Sequence, residues 1–303
     1  VCYGVKNSLL GMNWMQCWMQ MTESESCCGQ FHYPSPLWGT PLDFRLACQA
    51  VHDAGGRLGF YINAQLYKPW HNSEATNIGG VPTEFIPDEV LAPYDPQWAF
   101  RWQARSFAGQ PYDQPSPSPF HNGVRMNPAS SGWQDHLIHW AAEWYVEALG
   151  TDCIYFDQLA AAPSLPVYND DQSDYGLWGR GYQQMLDRLL AQVRPRHPGL
   201  VLSMEGASEL HGQQVATALY GTGPDLFDAD HYTFPDHILI DYGAHVNQFR
   251  KSFPGQKQTY LNTFLMGTRL CEYPLDDFGR ALFDLRRWTQ SLIFRASYRD
   301  TVG

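Results

Sequence analysis

Ile154-Tyr155-Phe156-Asp157 and Leu202-Ser203-Met204-Glu205-Gly206 are the two stretches on which the reading of this chain turns. Each is an apolar, β-prone run that ends on a carboxylate. Outward from them the same pattern recurs. Phe60-Tyr61-Ile62-Asn63, Val124-Arg125-Met126-Asn127 and Thr259-Tyr260-Leu261-Asn262 each end on an amide. Leu10-Gly11-Met12-Asn13-Trp14 has the same form near the start, and Leu226-Phe227-Asp228-Ala229-Asp230-His231 carries an acid cluster. Each run leads, after a loop, into a helical pattern. Strands alternating with helices argue for βαβ units and a parallel sheet. A polar residue at the end of each strand predicts that those ends share one face, as at the mouth of a barrel.

The pattern predicts strands at Leu9–Trp14, Arg57–Asn63, Gly123–Asn127, Cys153–Asp157, Leu200–Glu205, Leu226–Asp230 and Thr259–Asn262. Between and after them it predicts helices at Leu42–Ala54, Gln97–Ala108, Ser131–Leu149, Leu177–Arg194, Ala207–Leu219, Pro235–Ser252 and Asp276–Ser297. Gly55-Gly56 and Gly150 are stop signals, and Ser130 and Ser131 are cap candidates. The expected fold is α/β, a (β/α)8 TIM barrel, with residues 1–303 as a single catalytic domain. Only seven strand–helix units are counted, so the barrel is incomplete here or has an atypical eighth strand. The first strand is misplaced, the eighth lies outside this chain, or Val1–Val5 closes the ring. A seven-unit ring or an open doubly wound sheet is the alternative.

The formal charge of −11 disfavours a nucleic-acid partner, which needs an excess of Lys and Arg. No apolar run approaches the length that crosses a bilayer, and no signal peptide is seen. A signal removed earlier would leave no trace, so the compartment stays open, with a slight preference for secreted or periplasmic. Oligomeric state is also open. Trp, Tyr and Phe number 11, 17 and 16, which suits both core filling and stacking on sugar rings. The seven Cys include no Cys-x-x-Cys, so no zinc framework is expected. Cys48 and Cys153 fall in helix and strand patterns and are expected buried, while a disulfide among Cys17, Cys27 and Cys28 is undecided.

Two acids at neighbouring strand ends are what cleavage of a sugar acetal requires. In a retaining mechanism one carboxylate attacks the anomeric carbon, and the other protonates the leaving oxygen and then activates water. The two then lie about 5–5.5 Å apart, against about 6.5–9.5 Å for inversion. Asp157 is the expected nucleophile, short and rigid at a strand end. Glu205 is the expected general acid/base, with Asp230 beside His231 as the rival acid. Alternation places Arg125 with Asn127, Tyr61 with Asn63 and Tyr155 with Asp157 on inward faces. Arg125 then either holds an acid ionised or makes a structural ion pair at the barrel top. Asn63, Asn127 and Asn262 suit hydroxyl recognition, because an amide both donates and accepts. Trp14, Tyr67, Trp70 and Tyr232 are stacking candidates. The substrate-binding set is therefore Asn63, Arg125, Asn127, Asp230, His231, Tyr61, Trp14 and Asn262, with carbohydrate as the partner and no metal or cofactor.

A resemblance extends this reading. Ala54-Gly55-Gly56-Arg57-Leu58-Gly59-Phe60-Tyr61-Ile62-Asn63, Met126-Asn127-Pro128 with Trp133, Gly150-Thr151-Asp152-Cys153-Ile154-Tyr155-Phe156-Asp157-Gln158 and Ser203-Met204-Glu205-Gly206 form an ordered set. It resembles a bacterial family of glycoside-hydrolase-like TIM barrels, many known only as a domain of unknown function. The resemblance covers about Leu42–Asp236 and implies a TIM-barrel catalytic domain, often flanked by β-sandwich modules. An Asp after strand four and a Glu after strand five are also similar to the retaining α-amylase superfamily. Tyr155 stands where that superfamily has Arg, and Leu261-Asn262 replaces its His-Asp pair. A lean toward α-linkages is all that this second likeness implies.

Three rival functions remain at this stage. A carbohydrate-binding barrel without catalysis would keep the aromatic and amide residues and leave the acids dispensable. A metal-dependent hydrolase on the same fold would show His-x-His after its first strand, where this chain has Asn13-Trp14. His136 and His139, three apart on a predicted helix, read as a surface face, and Asp228, Asp230 and His231 are the cation candidates. Transglycosylation would use the same residues as hydrolysis, with a different acceptor.

Overall fold

Backbone pairing decides which of these runs become neighbours. In a computed structural model the described residues are 14–17, 39–67, 101–114, 123–160, 165–169, 178–206, 208–215, 217–220, 238–241, 269–270 and 281. The chain divides into two compact units, one of residues 1–204 with 209–215, the other of residues 205–208 with 216–303.

In the first unit β1 (Trp14–Cys17), β2 (Arg57–Asn63), β6 (Cys153–Asp157) and the first four residues of β7 (Val201–Glu205) form a parallel array in that order. From Leu58 to Asn63, and through all of β6, every residue is buried. That pattern belongs to parallel strands covered on both faces, which read as continuous apolar runs. One face carries Phe60, Ile62, Ile154, Phe156, Leu202 and Met204, all buried. Phe60 lies 6.3 Å from Phe44 and 5.1 Å from Tyr145, ring centre to ring centre, so the flanking helices cover this face. Each large side chain buried there contributes about 1.5–3 kcal/mol.

Helix α1 (Pro41–Asp53) starts with a complete capping box: Thr40 Oγ1 accepts from the Asp43 N–H, and the Asp43 carboxylate accepts from the Thr40 N–H at 2.7 Å. Phe44, Cys48 and Val51 recur at helical spacing and face inward. The helix ends before Gly55, whose φ of +77° needs no Cβ. Helix α2 runs from Ser131 to Ile138 and widens into a π-helix over His139–Leu149. Ser130 has the extended backbone of a cap but makes no side-chain capping bond. Gly150, at φ +79°, closes the helix. Helix α3 (Trp178–Val193) buries Trp178, Tyr182, Met185, Leu186, Leu189, Leu190 and Val193 on one stripe. Its Gly181 lets the helix approach the Pro128–Ala129 backbone, where a Cβ would come within 2.5 Å. Cys48 and Cys153 are buried, as expected, and burial raises the Cys153 pKa well above its ordinary value, with Asp152 adding to the shift.

Several expectations are corrected. Gly123–Asn127 is not a strand of the parallel array, because β2 pairs directly with β6. Instead β3 (Leu66–Tyr67), β5 (Gly123–Arg125) and β4 (Asp113–Gln114) make a small antiparallel sheet in the order β3-β5-β4. The helix predicted to run on to Ala108 has ended by Gln103, which bridges antiparallel to Met126, as Arg105 does to Pro111. The first described strand is Trp14–Cys17, which shares Trp14 with the predicted run Leu9–Trp14, and the residues before Trp14 lie outside the described set.

In the second unit β8 (Thr217–Tyr220), β9 (Ile238–Asp241) and β10 (Arg269–Leu270) run parallel, with Thr217 opposite Ile238 and Arg269 opposite Ile240. This overturns two predicted helices. Ala207–Leu219 contains a short 3-10 turn, Glu209–His211, followed by β8, and Pro235–Ser252 contains β9. Ile238-Leu239-Ile240 is an apolar, partly β-branched run, and such a run favours a strand when a parallel partner is present. The predicted strands Leu226–Asp230 and Thr259–Asn262 lie outside the described residues, and of the predicted final helix only Ala281 is described, in a helix. The architecture is α/β with parallel strands, and the described strands do not form a closed ring.

Candidate functional site

Register brings the first candidate residues together. β2 and β6 pair with Tyr61 opposite Tyr155 and Asn63 opposite Asp157, and alternation turns all four side chains to one face. Asp157 is buried, with only 8% of its surface exposed. Its Oδ2 accepts from the Tyr61 hydroxyl at 2.5 Å and from Asn63 Nδ2 at 3.0 Å, and its Oδ1 accepts from the Tyr155 hydroxyl at 3.3 Å. Donors of this kind stabilise negative charge that burial would otherwise penalise.

Asn63 is itself held. Its Oδ1 accepts from the Gln65 N–H at 3.0 Å and the Leu66 N–H at 2.8 Å, which fixes the amide with its NH2 toward Asp157. The backbone between them is tied down as well. Ala64 N–H donates to the Asp157 carbonyl at 3.0 Å, while the Ala64 carbonyl accepts from Trp133 Nε1 at 3.0 Å and the Tyr182 hydroxyl at 3.2 Å. Gln158, the residue after the acid, holds φ +58°. A non-glycine residue there carries local strain, and such strain clusters at functional sites. A buried, preorganised carboxylate at a strand end is equipped to attack an electrophilic carbon or take a proton.

The other acid is placed less fully. Glu205 ends β7 and is half-buried. It belongs to the second unit, and the pairing of β6 with β7 is described as far as Phe156 opposite Met204. Asp230, His231 and Asn262 lie outside the described residues, as do Trp70 and Tyr232.

Other expected site residues are relocated. Trp14 opens β1 opposite Arg57, at the far end of the array from Asn63 and Asp157, so it does not belong with them. Tyr67 is buried edge-on against Trp133, at 6.2 Å between ring centres, and is a core residue rather than an open platform. Asn127 follows the antiparallel strand β5. It is fully buried, and its Oδ1 accepts from the Ala129 N–H at 3.0 Å in a turn leading to α2. Arg125 lies on β5, not on a parallel strand, and one of its guanidinium nitrogens donates to Gln65 Oε1 at 2.8 Å. Burial pulls the Arg125 pKa below its ordinary value, and the Tyr182 phenol acts in the opposite sense. His136 is buried and stacked on Trp133 at 5.1 Å, not on a surface face. Among the described residues no group of His, Cys, Asp and Glu is arranged to hold a metal ion.

Sequence reasoning did not single out Gln65, Tyr182 or Trp133 as supports of the Asp157 wall, nor Tyr155 as a donor. Tyr155 was legible, two residues before the acid and so on its face. Gln65 and Tyr182 reach the site through contacts that no local pattern encodes.

No protein-family model matches this sequence, and no curated protein matches it. Solved structures do. An α-N-acetylgalactosaminidase of Bifidobacterium bifidum, in a quadruple-mutant form, matches with a TM-score of 0.67 at 12% identity, over 96% of this chain and 44% of that one. A GH36 α-galactosidase of Geobacillus stearothermophilus matches with a TM-score of 0.59 at 8% identity, over 96% of this chain and 39% of that one. A noncanonic maltogenic α-amylase of Thermotoga neapolitana matches with a TM-score of 0.59 at 12% identity, over 94% of this chain and 70% of that one. The matched structures are TIM-barrel glycosidases, and at these identities the likeness is one of fold alone. The chain spans less than half the length of the Bifidobacterium and Geobacillus enzymes.

Proposed function

We propose that residues 1–303 form one catalytic (β/α)8 barrel of a glycoside hydrolase, acting on an oligo- or polysaccharide by a retaining, two-carboxylate mechanism. The observation that carries this reading is the Asp157 carboxylate, buried at the end of β6 and held by Tyr61, Asn63 and Tyr155. In the proposed reaction Asp157 attacks the anomeric carbon, while Glu205 gives a proton to the departing oxygen. Glu205 then takes a proton from water as the covalent glycosyl ester is opened. Asn63 positions the nucleophile, and Asp230 is the alternative acid. The names of the three solved structures all specify α-glycosidic enzymes, which supports an α-linkage as substrate.

The test is turnover of a panel of aryl α- and β-glycosides and polysaccharides by the native chain, Asp157→Asn and Glu205→Gln. Both substitutions should lower kcat/KM by about 10³-fold or more, the scale seen when a catalytic side chain is removed. Turnover that survives both would exclude the pair and shift attention to Asp230. Sugar binding that persists in every variant, with no turnover by the native chain, would favour a binding barrel.

A further inference from the structure

Phe107 stands at the tip of a hairpin with 86% of its surface exposed, although the backbone that carries it is firmly held. Arg105 bridges antiparallel to Pro111, and the Ser106 N–H donates to the Gln110 carbonyl at 2.8 Å. The Gly109 N–H closes a turn onto the Ser106 carbonyl at 2.8 Å, with Gly109 at φ +74°. A tight turn followed by a left-handed glycine is a common three-residue hairpin. Arg105 Nη1 donates to the Gly109 carbonyl at 2.9 Å and braces the loop. Turn tips favour Gly, Asn, Asp or Ser; here a large apolar ring is held out in water instead.

The hairpin is fastened to a second loop. The Tyr168 N–H donates to the Arg105 carbonyl at 2.9 Å, and the Arg105 N–H donates to Asn169 Oδ1 at 3.0 Å. Asn169 Nδ2 donates to the Gln103 carbonyl at 2.7 Å, and the Tyr112 hydroxyl donates to the Pro166 carbonyl at 2.9 Å. Tyr168 meets Phe107 at 79°, ring centres 5.5 Å apart, and so fixes the ring without covering it. These two loops leave the C-terminal ends of β2 and β6, the ends that carry Asn63 and Asp157. In parallel α/β folds it is those loops that hold the ligand. The Met126 N–H donates to the Gln65 carbonyl at 2.8 Å, while Gln103 bridges to Met126 along its other edge. Two strand spacings of about 4.8 Å therefore separate Gln65 from the strand that leads into the hairpin. An exposed ring of fixed position is a stacking surface. The C–H face of a pyranose covers it without an enclosed pocket, and the loop is already ordered in the free protein.

We propose that Phe107, on the hairpin joined to the 165–169 loop, is an outer sugar subsite. It stacks on a ring of the substrate other than the one attacked at Asp157, so the preferred substrate is an oligosaccharide rather than a single-ring glycoside. The inference rests on the glycosidase reading and narrows its substrate by length.

The experiment is isothermal titration calorimetry on the full chain, with Asp157→Asn in place for any sugar that the native chain cleaves. The sugars are methyl α-D-glucoside with maltose and maltohexaose, and methyl α-D-galactoside with raffinose and stachyose. At least one longer sugar should bind more tightly than the single-ring glycoside of its series. Phe107→Ala and Phe107→Leu should each reduce that gain by about three- to tenfold, the scale of one aromatic contact. Phe107→Trp, which restores a flat face, should keep it. Thermal melts should leave the midpoint in place, because an exposed side chain contributes little to stability. Single-ring glycosides that bind as tightly as the longer sugars overturn this inference and leave the glycosidase reading standing. So does a gain that survives Phe107→Ala, or a loss in that variant that is as large for the single ring. Binding of none of these sugars overturns this inference, and joined to no turnover in the glycoside panel it overturns the glycosidase reading as well.

Discussion

Tyr61→Phe removes a single oxygen from the Asp157 wall and leaves the ring in place. That hydroxyl donates to Asp157 Oδ2 at 2.5 Å and accepts from Asn63 Nδ2 at 3.3 Å. Both partners are buried, with Asn63 at 0% and Asp157 at 8% exposure, so water does not readily replace what is lost. A hydrogen bond to a charged group contributes about 1.5–3 kcal/mol net. Unfolding entropy of about 2.1 cal/mol/K per residue gives a chain of this length roughly 0.6 kcal/mol/K, so the unfolding midpoint should fall by about 2–5 °C. Urea denaturation followed by tryptophan fluorescence gives the free energy directly, and a thermal melt gives the midpoint. A double-mutant cycle with Asp157→Asn should return a coupling energy of about 0.5–3 kcal/mol. If Asp157 is the nucleophile, kcat/KM should fall as well, by about ten- to a hundredfold, because the donor that preorganises the attacking carboxylate is gone. A midpoint unchanged within about 0.5 °C, together with a coupling energy near zero, would refute the reasoning: the phenol would not be holding the acid.

Three further outcomes follow from the first unit. His211 is buried and its pKa is lowered to about 4 by that burial, against an ordinary value of 6.5. Its contribution is therefore complete above pH 6.5 and lost as the pH falls toward 4, because the unfolded chain then binds a proton that the folded chain refuses. Urea unfolding measured from pH 7 to 4 should show this decline, and His211→Phe should flatten it. Gly181→Ala would place a Cβ 2.5 Å from the Ala129 nitrogen, a clash with backbone that cannot swing aside. A loss of about 1–3 kcal/mol in urea denaturation is expected. Gln158→Gly removes the penalty of φ +58° and should raise stability by up to about 1 kcal/mol, offset in part by the greater freedom of glycine when unfolded. If the strained turn serves to aim Asp157, turnover in the glycoside panel should fall in the same variant that melts at a higher temperature.

Much of the frame was legible because it is local. Arg57–Asn63 and Cys153–Asp157 are continuous apolar runs bounded by turn residues, and both strands have the expected limits. The strand expected at Leu200–Glu205 begins one residue later, and α1 and α3 lie within a residue or so of their predicted ends. Val124-Arg125-Met126-Asn127 has the same form as the barrel-like runs yet joins an antiparallel sheet. Four residues of alternating character specify that a strand forms, not which partner it takes. Ile238–Asp241 was misread as part of a helix for a related reason: apolar period alone does not separate a short buried strand from a helix turn.

The sequence by itself determined that Asp157 ends a buried strand and that Tyr155 shares its face, since alternation is a property of any extended chain. Only the tertiary structure decided that Tyr61 and Asn63, 96 and 94 residues away, would be its donors. That depends on β2 lying beside β6 in one register, and register is selected by burying the whole apolar face at once. Arg125 shows the same division. The sequence supplied a cation near the candidate site, but its amide partner follows from how β3 and β5 fold back, a long-range choice made by packing rather than by local pattern.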